Sequence, residues 1–227
     1  MMKRFFIYTF IFITAFLITF VMTFPIGNLT AYLLSKYGFY YSRIEGNLFH
    51  VTINNLEKGN ILIKKVEMKN YIYKQKISIN ESLQIYLYPL SKAADLICFS
   101  FEISAVQEKP QVYGKLTGKY KLNLKNKVII ISGEGNLKEF KTVFFPIYLY
   151  EVRHRLEPNI EKNSVYADIT GKDLNGKFNG ILYLPVNIKD GYIKGKFSGK
   201  FMNLGISEDI YIQFNRYIID GESKIKF

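Results

Sequence analysis

Three stretches have the residue types of a phosphate-binding loop: "GKLTGKY" (114–120), "GKFNGIL" (176–182) and "GKFSGKF" (195–201). A nucleotide loop needs a strand, a compact glycine-rich turn, and then a Lys-Ser/Thr pair that opens a helix and places a hydroxyl on magnesium. After Gly118-Lys119 comes Tyr120, and after Gly199-Lys200 comes Phe201, so that hydroxyl is missing and the spacing is one residue short. Other candidates are as thin. "ISGEG" (131–135) lacks the glycine before Ser132 that a nucleophile elbow needs. His50 and His154 are the only histidines, and neither has a metal-ligating partner one helical turn away. Cys98, the single cysteine, lies in the apolar run "DLICFSF", where burial keeps a thiol protonated and inert. No catalytic residue, cofactor site or metal site is assigned, and the chain is expected not to be an enzyme.

The elements that carry these residues read as strands. From residue 39 onward the hydropathy period is mostly two. In "VYGKLTGKYKLNL", Val112, Gly114, Leu116, Gly118, Tyr120, Leu122 and Leu124 alternate with mostly polar neighbours. In "YIKGKFSGKF", Ile193, Gly195, Phe197, Gly199 and Phe201 alternate with Lys194, Lys196, Ser198 and Lys200. Such alternation marks strands with one buried and one wet face. Further strands are expected around 61–68, 71–79, 83–88, 98–105, 127–132, 164–170, 176–184 and 209–219, separated by turn signals such as "EKGN", "KDLNG" and "KDG". The segment 139–159 breaks the pattern, and part of it is expected to be helical, from Pro146 to Glu157-Pro158, as a plug in the sheet or an interfacial element.

Glycine on an inward strand face marks either curvature or a close approach by a ligand. The face formed by Gly114, Leu116, Gly118, Tyr120, Gly176, Phe178, Gly180, Gly195, Phe197, Gly199 and Phe201 is therefore a candidate surface for lipid or for a partner, with simple sheet curvature as the alternative. Composition agrees with a β reading: 18 Tyr and 19 Phe, no Trp, and 48% hydrophobic residues. The net charge of +12 suits solvated lysines on outward faces, anionic lipid or an acidic partner. No block of five like charges is present, which argues against nucleic acid.

The first forty residues place the chain. "MMKR" precedes twenty residues (5–24) without a charge, enough at about 1.5 Å per residue to cross the roughly 30 Å core of a bilayer. No small-x-small cleavage site follows, so an uncleaved anchor is expected. Lys3 and Arg4 put the N-terminus in the cytoplasm and the bulk of the chain in a bacterial periplasm. The expected organisation is a cytoplasmic flank (1–4), a transmembrane anchor (5–24), a juxtamembrane helix (25–38) capped by Asn28 and stopped by Gly38, and a periplasmic β domain (39–227). That domain is expected to be a curved, mostly antiparallel sheet, an open groove or partial barrel.

The anchor ending in Phe24-Pro25, the helix "LTAYLLSKYG", the Gly46-Asn47-Leu48-Phe49 strand end and "LEKGNILIKKVEM" together resemble the type II secretion system protein N family, with wider similarity to AsmA-like envelope proteins. His50 stands in a region where many members carry a small residue and glycine. The resemblance implies an inner-membrane accessory of protein export, with secretion-system subunits as partners and contact with phospholipid or lipopolysaccharide as the alternative role.

Overall fold

A computed structural model of the chain describes residues 13–15, 26–59, 61–107, 112–143 and 148–214. The expected anchor lies outside the described residues except for a helical turn at 13–15. Among the described residues no helix is long and apolar enough to cross a membrane.

Thirteen strands form one antiparallel sheet in strictly sequential order: β1 (Arg43–Gly46), β2 (His50–Lys58), β3 (Ile61–Asn70), β4 (Gln75–Ile79), β5 (Leu83–Tyr88), β6 (Ala93–Glu102), β7 (Val112–Lys125), β8 (Val128–Thr142), β9 (Tyr148–Asn159), β10 (Lys162–Gly171), β11 (Leu174–Tyr183), β12 (Tyr192–Phe201) and β13 (Leu204–Gln213). Each strand pairs only with its neighbours in the chain, and β1 and β13 are edges. The mainly β, open antiparallel sheet expected from the alternation is what the chain forms.

Cross-strand register sorts the side chains onto two faces. The row Cys98–Gly118–Gly135–His154–Ala167–Phe178–Phe197 crosses β6 to β12 on one face. The adjacent row on the other face is Ile97–Lys119–Glu134–Arg155–Tyr166–Asn179–Lys196. One face is therefore apolar and glycine-rich, and the other charged. Little of the apolar face is fully buried. Two clusters are: Val51, Ile53, Leu56 and Val66 at β2–β3, and Val165, Phe178 and Phe197 at β10–β12.

Helix α1 (Ile26–Lys36) packs on the first cluster through Ile26 and Leu34. It ends in a Schellman motif: the Phe39 N–H donates to the Leu34 carbonyl at 2.9 Å and the Gly38 N–H to the Ser35 carbonyl at 3.0 Å. Gly38 takes φ +73°, a left-handed value that suits glycine, so the expected stop is confirmed. Asn28 is not the N-cap, because the helix already includes Ile26 and Asn28 lies inside it.

One expectation is corrected at β8 and β9. The segment 139–159 holds no described helix; β8 runs on to Thr142 and β9 occupies Tyr148–Asn159, with 144–147 outside the described residues. The reason is visible in "EVRHRLE": Val152, His154 and Leu156 alternate with Glu151, Arg153, Arg155 and Glu157, a period of two hidden behind the dense aromatic run that precedes it. Pro158 is accommodated one residue from the end of β9, opposite Asn163. β8 then exceeds its pairing with β9, and its first residues reach the far side of β10. Ile129 N–H donates to the Leu184 carbonyl at 2.7 Å and Val186 N–H to the Lys127 carbonyl at 2.9 Å. Asn163, fully buried, closes this bend. Its Oδ1 accepts from Ile131 N–H at 2.5 Å, while Nδ2 donates to the carbonyls of Ile129 (3.1 Å) and Leu182 (3.3 Å).

Candidate functional site

The candidate glycines occur as directly opposed pairs, each roofed by an aromatic ring. Across β11 and β12, Gly176 faces Gly199, Phe178 faces Phe197, and Gly180 faces Gly195. A Cβ built on Gly180 or Gly195 would meet the Phe178 ring at 2.6 or 2.8 Å. One built on Gly176 or Gly199 would meet the Phe197 ring at 2.6 or 2.9 Å. The two rings thus lean in opposite directions along the strands, each lying over one glycine pair. A large ring over a glycine pair restores the apolar contact that glycine alone cannot make. Phe178 and Phe197 are both buried. The space the glycines leave is filled by the protein's own side chains.

The same device recurs across β7 and β8. Gly118 faces Gly135, and Tyr120 from the neighbouring row lies over that pair. Its hydroxyl reaches His154 Nε2 at 2.6 Å, and the two rings are parallel to within 8°. His154 Nδ1 lies 3.4 Å from the Val152 carbonyl, so the tautomer with hydrogen on Nδ1 leaves Nε2 to accept from Tyr120. Burial shifts this group coherently: it pushes the Tyr120 phenol up to about 12, lowers the His154 imidazole against the opposing Val152 carbonyl, and raises the Cys98 thiol. All three are therefore neutral near pH 7. Cys98, 5% exposed, is the buried free thiol expected from its context.

The remaining candidates sit apart from these roofs. Gly114 lies at a bulge between Tyr113 and Lys115, Leu116 is half-buried, and Phe201 is exposed beside the β12–β13 turn. The β7 group and the β11–β12 group are separated by β8, β9 and β10. Sequence reasoning missed Gly133, Gly135, His154 and Asn163. The signal for the first two was present in "SGEG", whose alternation matches "LTGKY" but was weighed only as a nucleophile elbow.

An open concavity of about 900 Å³ is lined mostly by residues of the charged face, with Gly118 and Gly135 also in its wall. Lys119, Glu134, Arg153, Arg155, Asp168 and Lys177 line it. Three of its cations are paired: Arg153 with Glu151 at 2.9 Å, Arg155 with Glu157 at 3.1 Å, and Lys177 with Asp168 at 3.7 Å. Glu151 also accepts from Asn136 Nδ2 at 2.6 Å, and this bond and Arg153 hold its carboxyl below the usual carboxylate range. These pairs face solvent, where screening leaves each contributing little. Among the described residues no cluster of His, Cys, Asp and Glu could hold a metal ion.

Comparison with protein-family models, with curated proteins and with solved structures finds no match to the chain.

Proposed function

We propose that this protein performs no catalysis and acts as a membrane-anchored periplasmic scaffold of the bacterial envelope, an accessory of type II secretion whose partner adds a strand to the edge of β13. One observation supports this reading above the others. β13 pairs with β12 over ten consecutive residues without a bulge. Its outer edge is uncovered among the described residues, and the strand carries neither Pro nor Lys. Natural sheets ordinarily blunt such an edge with bulges, lysines, inward-pointing charges, proline or brevity; of these β13 has one inward charge, Glu208 opposite Phe197, with Asp209 beside it on the other face. The other edge is treated differently, since β1 has only four residues and stands beside α1. A long, regular edge that nothing covers among the described residues is the template that strand addition uses.

The test is a photo-crosslinking residue at Tyr211, 62% exposed on β13, in cells that assemble a type II secretion machine. The expected product joins this chain to a secretion subunit, and the same probe at Arg43 on β1 gives none. Absence of any secretion subunit from the Tyr211 product overturns the assignment.

A second reading, a lipid-binding or lipid-transfer module for phospholipid or lipopolysaccharide, is favoured by the middle of the sheet. There Ile77, Ile79, Leu83, Ile85, Leu87 and Leu96 stay only half-buried on the apolar face. An acyl chain would lie along β4–β6, not against the ring-filled glycine pairs of β11 and β12. Near-stoichiometric lipid co-purifying with the full chain would favour it over the scaffold.

A further inference from the structure

In a sequential meander the β1–β2, β3–β4 and β5–β6 turns emerge at the same end of the sheet. Here they are also joined to one another. Asn70 N–H donates to the Phe49 carbonyl at 2.7 Å, and Asn70 Nδ2 to the Leu48 carbonyl at 2.6 Å, fixing the first turn beside the second. Lys74 at the second turn places its Nζ 5.4 Å from the Tyr71 ring centre, 5.6 Å from that of Tyr73 and 5.5 Å from that of Tyr86 on β5, the strand that leads to the third. With strands about 4.8 Å apart, consecutive tips stand roughly 10 Å from one another, a footprint of about 20 Å.

Each tip presents a large apolar side chain to solvent. Phe49 is 53% exposed, Leu90 is 91% exposed, and Ile72 is fully exposed. Two nearly fully exposed aliphatics and a half-exposed phenylalanine on three adjoining turns are not the scattered surface residues that need no explanation. The charge pattern is one-sided as well. Residues 46–50, 69–76 and 86–92 contain no Asp or Glu and carry Lys69, Lys74, Lys76 and Lys92; the nearest acid on the third hairpin is Asp95, opposite Tyr86, which accepts from the Tyr88 hydroxyl at 3.1 Å. Apolar tips below a belt of tyrosines, with lysines and no acid in the turns themselves, match the layered chemistry of a bilayer surface. Aliphatics suit the acyl boundary, tyrosines the headgroup level, and ammonium groups the phosphates. A groove on a protein partner would accept the tips but would give no reason for the excess of lysines around them.

The course of α1 agrees. Its C-terminal end sits by the β2–β3 turn at the opposite end of the sheet, where Lys58 Nζ donates to the Tyr37 carbonyl at 2.9 Å. Gly27 lies against Ile44, which pairs with Ile53 further along toward the tips. The helix therefore begins on the tip side. We infer that this end of the sheet rests on an anionic bilayer surface, with Ile72 and Leu90 inserted at the acyl boundary and Lys74 and Lys92 on headgroup phosphates. The contact is independent of what binds at β13.

The natural chain has no tryptophan, so a single introduced one reports without background. Full-length Ile72→Trp is reconstituted in phosphatidylcholine vesicles with and without phosphatidylglycerol, and its emission is followed with lipids brominated on the acyl chain. Met202→Trp, at an exposed position on the opposite end of the sheet, serves as the reference. In phosphatidylglycerol vesicles Ile72→Trp should be blue-shifted and quenched, while Met202→Trp should be neither. Adding Lys74→Gln should lower the ratio of inserted to free tip about fivefold, the equivalent of ~1 kcal/mol per lysine near an anionic surface. An Ile72→Trp emission that matches Met202→Trp in phosphatidylglycerol overturns the inference. Equal quenching in the neutral vesicles overturns its electrostatic half.

Discussion

Phe197 is the most deeply buried aromatic of the sheet, 4% exposed, with its ring over Gly176 and Gly199. Phe197→Ala should destabilise the protein by about 3–5 kcal/mol, the usual cost of emptying such a site, visible as a fall in the chemical-denaturation midpoint. Gly199→Ala should also destabilise, because its Cβ would collide with the Asn175 carbonyl as well as the ring, and circular dichroism melting would show it. Glycine here answers a packing requirement that a list of residues does not reveal. The alternation told which glycines share a face. It did not tell that each would stand opposite another glycine, because cross-strand register depends on turn lengths and bulges far from the pair. His154 supplies the pH dependence. Burial lowers its pKa from the ordinary 6.5, so folded and unfolded states both hold neutral imidazole above that value. Below it the unfolded chain takes up the proton first, and stability falls until the folded-state pKa is passed. The melting temperature should therefore drop as the pH is lowered through 6.5, and drop less in His154→Gln.

Asn163 acts between elements. It joins the start of β8 to the end of β11 through three hydrogen bonds while itself sitting on β10. Asn163→Ala leaves buried backbone groups without partners and should cost about 2–3 kcal/mol, read by the same denaturation midpoint. Faster amide exchange at Ile131 would show that the loss is local to this bend. Strand existence was legible along most of the chain because β7, β11 and β12 alternate cleanly, and the Gly38 helix stop could be placed to the residue. β9 was hidden by the aromatics before it, whose density mimics a helix. β1 and β2 carried too mixed a pattern. The role of Asn163 was invisible, since a polar residue in "EKNS" reads as part of a turn until the bend brings β8 over it.

At the scale of the molecule, a sheet one layer thick has two unlike faces and two unlike edges. Those asymmetries were only partly in the sequence. Alternation predicted an apolar and a charged face, but an open concavity turned out to be lined mostly by the charged one. The long uncovered edge could not be foreseen without knowing that β13 is last among the described strands. Hydrogen exchange follows from it: in the isolated protein the outward amides of β13 should exchange much faster than those of β11 and β12, and a bound partner should protect them. Uniform protection of β13 without a partner would mean that its edge is already occupied.

Strictly sequential pairing makes the reach of this sheet an adjustable quantity. No strand pairs out of sequence, so removing or duplicating one hairpin away from the β8–β11 bend would shorten or lengthen the sheet by two strand widths, about 10 Å, and leave the pairing of the distant strands as it was. A fold with crossovers would have to be redesigned to make the same change. Here the distance between the turn tips at β1–β6 and the open edge at β13 is set by how many hairpins lie between them. That gives the molecule the properties of a ruler, whose length can drift to fit the gap between whatever it touches at either end.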